Sequence, residues 1–369
     1  RVLAEMLPFF TERFGNPHSK QHGWGWEARD AVEKARAQVA ALVNASPGEI
    51  VFTSGATESN NLALKGTIDP LRRGGHVITV ATEHKSVLDV CRQFEPQGCR
   101  VTVLGVDPGG VIDTDALAAA MTPDTVLLSV MTANNEIGTV QPIAAIGSLA
   151  RARCVLLHTD AAQAAGKVPI DVRAMNIDLL SLTGHKFYGP KGCGALFVRK
   201  MKPRLALTPL LCGGGQEGGT RSGTLNVPGI VGLGRAAEIC RLEMAEESAR
   251  LAGLRDRLLE GLRSRLGDVR VNGTLVQRLP HNLHVSVPGV EGEALLMALG
   301  DLAVSTGSAC SSGSQAPSHV LEAIGASAQA AGASIRFGLG RTTTPSDIDF
   351  AIDRVATVVT ALRRAPVRC

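Results

Sequence analysis

At 369 residues, 44% hydrophobic and 20% charged, the chain is long enough for a large core and a smaller second lobe, and its composition excludes a disordered or fibrous protein. Its formal charge of +4 comes from 38 Lys and Arg scattered among 34 Asp and Glu, which leaves no basic block to expect nucleic acid at. No apolar run nears the roughly 20 residues a membrane-spanning helix needs, and the opening RVLAEMLPFF lacks the order of a signal peptide, so a cytoplasmic chain without membrane contact is expected.

Amphipathic spacing of Ala28, Ala31, Val32, Ala35, Val39 and Leu42 predicts a helix over 27–43, and the apolar stretch 50–54 predicts a short strand. Strand-like runs follow: HVITVA (76–81), VTVLGV (101–106), TVLLSVM (125–131), VLLHTD (155–160), DLLSLT (178–183) and GALFV (194–198). Up to Ser181 they are separated by helical or loop stretches such as 86–95, 114–120 and 143–153. Apolar strands of this kind belong to a buried, mostly parallel sheet covered by helices, so the fold class expected is α/β. A long helical pattern over 227–266 leads toward a second unit, where 282–287, 303–307 and 334–340 read as strands and 291–299, 317–324 and 345–363 as helices. The expected division is a large domain over 1–245 and a small α+β C-terminal domain over 246–369.

The eight cysteines (91, 99, 154, 193, 212, 240, 310 and 369) form no CxxC pair and no metal-like cluster, so no zinc site and no disulfide framework is expected. Most read as buried small hydrophobes. Cys310 differs, because it lies in SACSSGSQAPS, a run of Ser, Gly, Ala and Pro with almost nothing to build a core. Such a segment reads as a mobile exposed loop, where a thiol that ionises is a nucleophile.

Three stretches carry further chemistry. TSGATESNN sets Ser54, Gly55, Ala56 and Thr57 between a strand and a helix, where free N–H groups, small residues and a hydroxyl make a phosphate cradle; a plain helix cap by Thr57 reads equally well. VLLHTD ends in Asp160, with Gln163 three residues on, and DLLSLT leads into Gly184, His185 and Lys186. A carboxylate and an amine at the strand ends of a parallel sheet form the pair that pyridoxal phosphate needs, one at its pyridine nitrogen and one at its aldehyde. Taken singly, Asp160 reads as a helix cap and Lys186 as a loop charge.

Over nearly its whole length the chain resembles the class V, fold-type I pyridoxal-phosphate enzymes, and within them the NifS/IscS-like cysteine desulfurases. The resemblance rests on FGNPHSKQH (14–22), EIVFTSGATESNNLALKG (49–66), TEHKSVLD (82–89), ANNEIGTVQPI (133–143), HTDAAQAAGK (158–167), GHKFYGPKG (184–192), GGGQEGGTRSGTLNV (213–227), STGSACSSGSQAPSHVL (305–321) and SIRFGLGRTTT (334–344). It implies that Lys186 bonds covalently to pyridoxal 5'-phosphate, that Asp160 pairs with the ring nitrogen, that His84 stacks on the ring and that Gln163 bonds its phenolic oxygen. Ala56, Thr57, Thr183 and His185 would hold the phosphate, closed by Thr224 of a neighbouring subunit, which makes the protein a homodimer. Asn135, also counted among the cofactor contacts, and Arg336 would take the substrate carboxylate. Cys310 would receive the sulfur of L-cysteine as a persulfide, leaving alanine, and pass it to an iron–sulfur scaffold or a thiolation protein; no metal site is implied beyond Cys310 as a transient iron–sulfur ligand. Without the resemblance, His84 reads as a core histidine and Arg336 as a surface ion pair.

Three other readings stay open on sequence: selenocysteine lyase, an aminotransferase of the same fold, which SACSSG argues against, and a sulfur-donor docking platform with impaired catalysis. The platform is motivated by a start at Arg1 without the family's leading segment and an end at Cys369 without the longer tail of some members; a partial sequence is the expectation.

Overall fold

Residues 1–68, 75–201, 205–305 and 318–364 are described by the computed structural model of the chain. The chain divides into two units, one of Arg1–Leu104, Thr114–Ala133 and Gln141–Met244, the other of Gly105–Asp113, Asn134–Val140 and Ala245–Cys369.

The first unit runs α1 (Val2–Met6), α2 (Pro8–Thr11), α3 (Gly23–Leu42), β1 (Ile50–Thr53), α4 (Ala56–Thr67), β2 (His76–Val80), α5 (Lys85–Phe94), β3 (Arg100–Leu104), α6 (Thr114–Ala120), β4 (Thr125–Ser129), α7 (Ile143–Ala152), β5 (Leu156–Asp160), β6 (Leu179–Thr183) and β7 (Gly194–Val198), then the first half of α8 (Val227–Leu266). The strands form one seven-stranded sheet in the order β1-β7-β6-β5-β4-β2-β3. Pairing is parallel from β6 through to β3, and β7 alone is antiparallel to both its neighbours. Every residue of β2 and of β6 is buried, as continuous apolar strands require when both faces are covered. Helix α4 packs on β5, β6 and β7, α5 on α4 and β3, and α7 on β5. The apolar faces of α4 and α5 close a core with β2 and β4 that includes Leu64, Val77, Val87, Val90, Phe94 and Leu127. Each such side chain contributes about 1.5–3 kcal/mol by leaving water.

The α/β class and mostly parallel sheet are as the alternating pattern predicts. Helix α3 starts at Gly23, earlier than its apolar spacing indicates, because the His22 side chain accepts the Gly25 N–H as its cap. Histidine is not among the usual cap residues, so that start carried no signal.

In the second unit the later half of α8 is followed by β8 (Arg270–Val271), β9 (Asn282–Ser286), α9 (Gly292–Ala298), α10 (His319–Ala323), α11 (Ala328–Gly332), β10 (Ser334–Gly338) and α12 (Pro345–Arg364). Its three strands form an antiparallel sheet, β10-β9-β8, over a core that includes Leu258, Leu262, Leu283, Val285, Ile335 and Val355. The strand expected over 303–307 is absent as far as residue 305: Ser305 makes only an isolated bridge to Arg336, and 306–307 lie outside the described residues.

Candidate active site

Parallel strands deliver chemistry from their carboxyl ends, where an open α/β sheet binds ligands. In the first unit β1 runs into Ser54–Thr57, β2 leads to His84, β5 ends at Asp160, and β6 ends at Thr183 and continues into a 3-10 turn, Gly184–Lys186.

The cap of α4 is Gly55, with no side-chain hydrogen bond, so Thr57 lies inside the helix and the reading of Thr57 as its cap is corrected. Gly55 has φ 153° and ψ −179°, a region closed to residues with a Cβ. A Cβ there would stand 3.4 Å from Thr183 Oγ1, and one on Gly194 would stand 2.6 Å from Gly55 Cα. The turn into α4 is thus pressed onto β6 and β7 at Gly55, directly before the first helical residues Ala56 and Thr57. Thr183 Oγ1 lies 3.0 Å from His185 Nδ1. Burial, then the charges of Lys186 and Lys191, hold the His185 ring below its usual protonation range, so it is a neutral partner. Helix N–H groups, hydroxyls and nearby ammonium groups are the kinds of donor that suit an anion.

Asp160 is buried at 5% exposure, with Oδ1 accepting the Ala162 N–H (2.8 Å) and Oδ2 accepting from Asn60 Nδ2 (2.7 Å). It therefore both caps its own turn and reaches across to α4. Lys186 is exposed on the turn after β6, the parallel neighbour of β5, and Gln163 is half-buried in the turn after β5. His84 is half-buried and caps α5, accepting the Ser86 N–H at Nδ1 (3.1 Å). Beside it Glu83 is fully buried, and burial first, then the Asp160 charge, push its carboxyl well above the usual range. Glu83 accepts the Met131 N–H.

Sequence reasoning missed the residues that hold this site. Arg221 Nε donates to Glu58 Oε1 (2.9 Å), whose other oxygen accepts the Ser54 N–H (2.8 Å), so the 213–227 segment is tied to the first turn of α4. Burial raises the Glu58 carboxyl, but the bonds from Arg221 and Ser54 outweigh it and hold the group below its usual range. An acidic residue in a first helical turn is an ordinary helix signal, which hid this second role. Thr224, three residues past Arg221, is exposed.

In the second unit Arg336 lies on β10 and is bonded to Asn135, the other residue expected at a substrate carboxylate. It donates from Nη1 to the backbone oxygen of Asn135 (2.7 Å) and from Nε and Nη2 to Ser305 Oγ (3.1 and 2.9 Å). Among the described residues these partners are neutral oxygens, not the carboxylate of a surface ion pair. Asn135 is half-buried. Cys310 lies outside the described residues. Of the described cysteines, Cys91, Cys99, Cys193 and Cys240 are buried and Cys154 and Cys212 exposed; burial pushes the Cys91 and Cys193 thiols up to about 12.

Across residues 1–350 the chain matches the family described as aminotransferase class-V. It is 52% identical over 364 residues to the cysteine desulfurase IscS of Rickettsia rickettsii (strain Iowa), covering 98% of this chain and 88% of that protein. Among solved structures, a NifS-like protein aligns with a TM-score of 0.91 at 38% identity, covering 98% of this chain and 96% of the other. DndA from Streptomyces lividans aligns with a TM-score of 0.79 at 42% identity, covering 92% and 95%. With strand-end chemistry, fold and sequence in agreement, the chain belongs to the class-V aminotransferase family, among the NifS/IscS-like cysteine desulfurases.

Proposed function

We propose that this chain takes the sulfur of L-cysteine onto Cys310 as a persulfide, releases alanine, and hands the sulfur to an acceptor protein of iron–sulfur assembly or thiolation. The observation that carries this reading is a buried Asp160 and an exposed Lys186 at the ends of neighbouring parallel strands, beside the uncapped start of α4. That donor set fits pyridoxal 5'-phosphate: an anion cradle from Ala56, Thr57, Thr183 and His185, an acceptor carboxylate in Asp160, a ring face in His84, an amide in Gln163 and an amine in Lys186. Bound there, the cofactor supplies an electron sink for an amino acid that loses its Cα proton.

Lys186 would hold the cofactor through its amine and would serve as the base that takes the Cα proton. Asp160 would pair its carboxylate with the ring nitrogen. Arg336, with a guanidinium that fits a carboxylate bidentately, and Asn135 orient the substrate carboxylate. The Cys310 thiolate attacks the substrate sulfur: a sulfur–sulfur bond forms, the carbon–sulfur bond breaks, and its electron pair stays with the three-carbon fragment, which takes a proton and leaves as alanine. No external oxidant is needed. A second thiolate then takes the outer sulfur by exchange.

We read the large domain as 1–245 and the small one, with the Cys310 segment, as 246–369. A homodimer is supported by the exposed Thr224 and by Leu3, Leu7, Phe10, Phe14, Trp24 and Trp26, all large apolar side chains that the first unit leaves in water. No helix among the described residues is long and apolar enough to cross a membrane. The test is Lys186→Ala: the purified variant should lack the visible absorbance of bound cofactor and form no alanine from cysteine. Wild-type turnover in that variant would refute the reading. Comparing sulfide released from cysteine with selenide released from selenocysteine separates desulfurase from selenocysteine lyase.

A further inference from the structure

A carboxamide outside every motif role assigned above links two of the site's residues. Asn60 is fully buried in α4, and its Nδ2 donates to Asp160 Oδ2 (2.7 Å) and to Ser86 Oγ (2.9 Å). An amide nitrogen carries two protons, so both are committed. The Ser86 hydroxyl lies 2.8 Å from His84 Nδ1, and the Ser86 backbone N–H donates to that same nitrogen at 3.1 Å. A backbone N–H only donates, so Nδ1 is an acceptor. The hydroxyl, already receiving a proton from Asn60, gives its own to Nδ1. Every bond in the chain then has one direction, from Asn60 outward to the carboxylate and to the imidazole, and the proton of the neutral His84 ring lies on Nε2.

The orientation of the amide has a cause. Asn60 Oδ1 is buried without a hydrogen-bond partner, which costs about 1–3 kcal/mol. Turning the amide over would spare Nδ2 a direct role but set Oδ1 against an oxygen of Asp160, acceptor against acceptor. The carboxylate therefore fixes the amide, and the amide fixes the serine proton.

We infer that Asn60 is a positioning residue which ties the acceptor state of Asp160 to the tautomer of His84, so that the imidazole enters the reaction as an Nε2–H donor. This rests on the site assignment above, since it concerns Asp160 and His84 as cofactor neighbours. The relay also explains why a polar side chain occupies the buried face of α4, where packing alone calls for an apolar one.

The test uses the full chain, cofactor-free, with 15N-labelled histidine, His84 being assigned by loss of its signals in His84→Gln. In the wild type, Nδ1 should resonate as a hydrogen-bonded acceptor and Nε2 as a protonated nitrogen. Asn60→Asp keeps the shape but replaces the donors, and Asn60→Leu removes them. In both, the serine proton is free to turn, so Nδ1 should shift downfield toward an unbonded acceptor, or take up part of the proton. Ser86→Ala cuts only the branch to His84: it should move the same resonance, and on reconstitution should retain cofactor through dialysis as the wild type does, whereas the Asn60 variants should lose it faster. Unchanged His84 resonances in Asn60→Asp would overturn the inference, and that volume-conserving change serves if Asn60→Leu does not fold. Failure of the wild type to take up pyridoxal phosphate would instead overturn the assignment of the site, because the histidine spectra do not depend on it.

Discussion

Arg36 allows a loss of stability to be worked from geometry. Its Nη1 and Nη2 donate to Glu217 Oε2 and Oε1, both at 2.8 Å, in a fork on a carboxylate that is 3% exposed. Nη1 also donates to the Ile50 oxygen (2.8 Å), the guanidinium lies 4.6 Å from the centre of the Phe52 ring, and Glu217 Oε2 accepts the Phe52 N–H (2.8 Å). Glu217 is held at φ 49° and ψ 40°, a left-handed conformation that costs of order 1–3 kcal/mol without such anchoring. Arg36→Met keeps the packing on Phe52 but leaves Glu217 a buried charge with one N–H, so the first unit should lose about 3–5 kcal/mol. Adding Glu217→Gln removes the stranded charge and should restore part of that, giving non-additive costs. Urea denaturation followed by circular dichroism gives the cycle, and amide exchange at Phe52 should quicken in the single variant. Glu217 lies seven residues before Thr224, so the same variant should retain less cofactor. A loss below about 1 kcal/mol, or costs that simply add, would refute a buried clamp on this segment.

Other outcomes follow from the same structure. Asp160→Asn should still take up cofactor through the cradle yet turn over cysteine far more slowly; full activity would mean another group partners the ring nitrogen. In solution the mass should be that of a dimer, and a monomer with cofactor held at normal affinity would contradict the role given to Thr224. His158 and His284 are buried and held at about 3, in both cases chiefly by burial, so each folds neutral. Between the usual histidine value near 6.5 and about 3 the unfolded chain binds protons that the folded chain does not, so stability should fall as pH drops through that window. The slope is about 1.4 kcal/mol per pH unit for each ring, and His158→Gln should lessen it in thermal melts between pH 6.5 and 4.

The sheet was legible because β2, β4, β5, β6 and β7 are apolar on both faces and leave few alternatives to a covered parallel core. Their ends were legible too, since Asp160 and the Gly184–Lys186 turn follow such runs directly. The reversed direction of β7 was not, because pairing sense leaves no mark in a short apolar run. Nor were Asn60, Ser86 and Glu58, whose roles depend on partners that are 26 to 163 residues distant. On a helix they read as ordinary polar positions. Arg336 was visible only through resemblance, since a strand arginine has many uses and its bond to Asn135 spans 201 residues.

The central claim is that Cys310, and no other thiol of this chain, carries the sulfur. The buried thiols Cys91 and Cys193, pushed up to about 12, are poor nucleophiles at neutral pH, whereas Cys154 and Cys212 are exposed and need direct exclusion. The decisive measurement is to incubate the protein with L-cysteine, digest it under non-reducing conditions and map every cysteine peptide by mass spectrometry while counting alanine. One added sulfur on the Cys310 peptide, with alanine formed and with both lost in Cys310→Ala, is the predicted result. A persulfide on another cysteine at the wild-type rate in Cys310→Ala would contradict it.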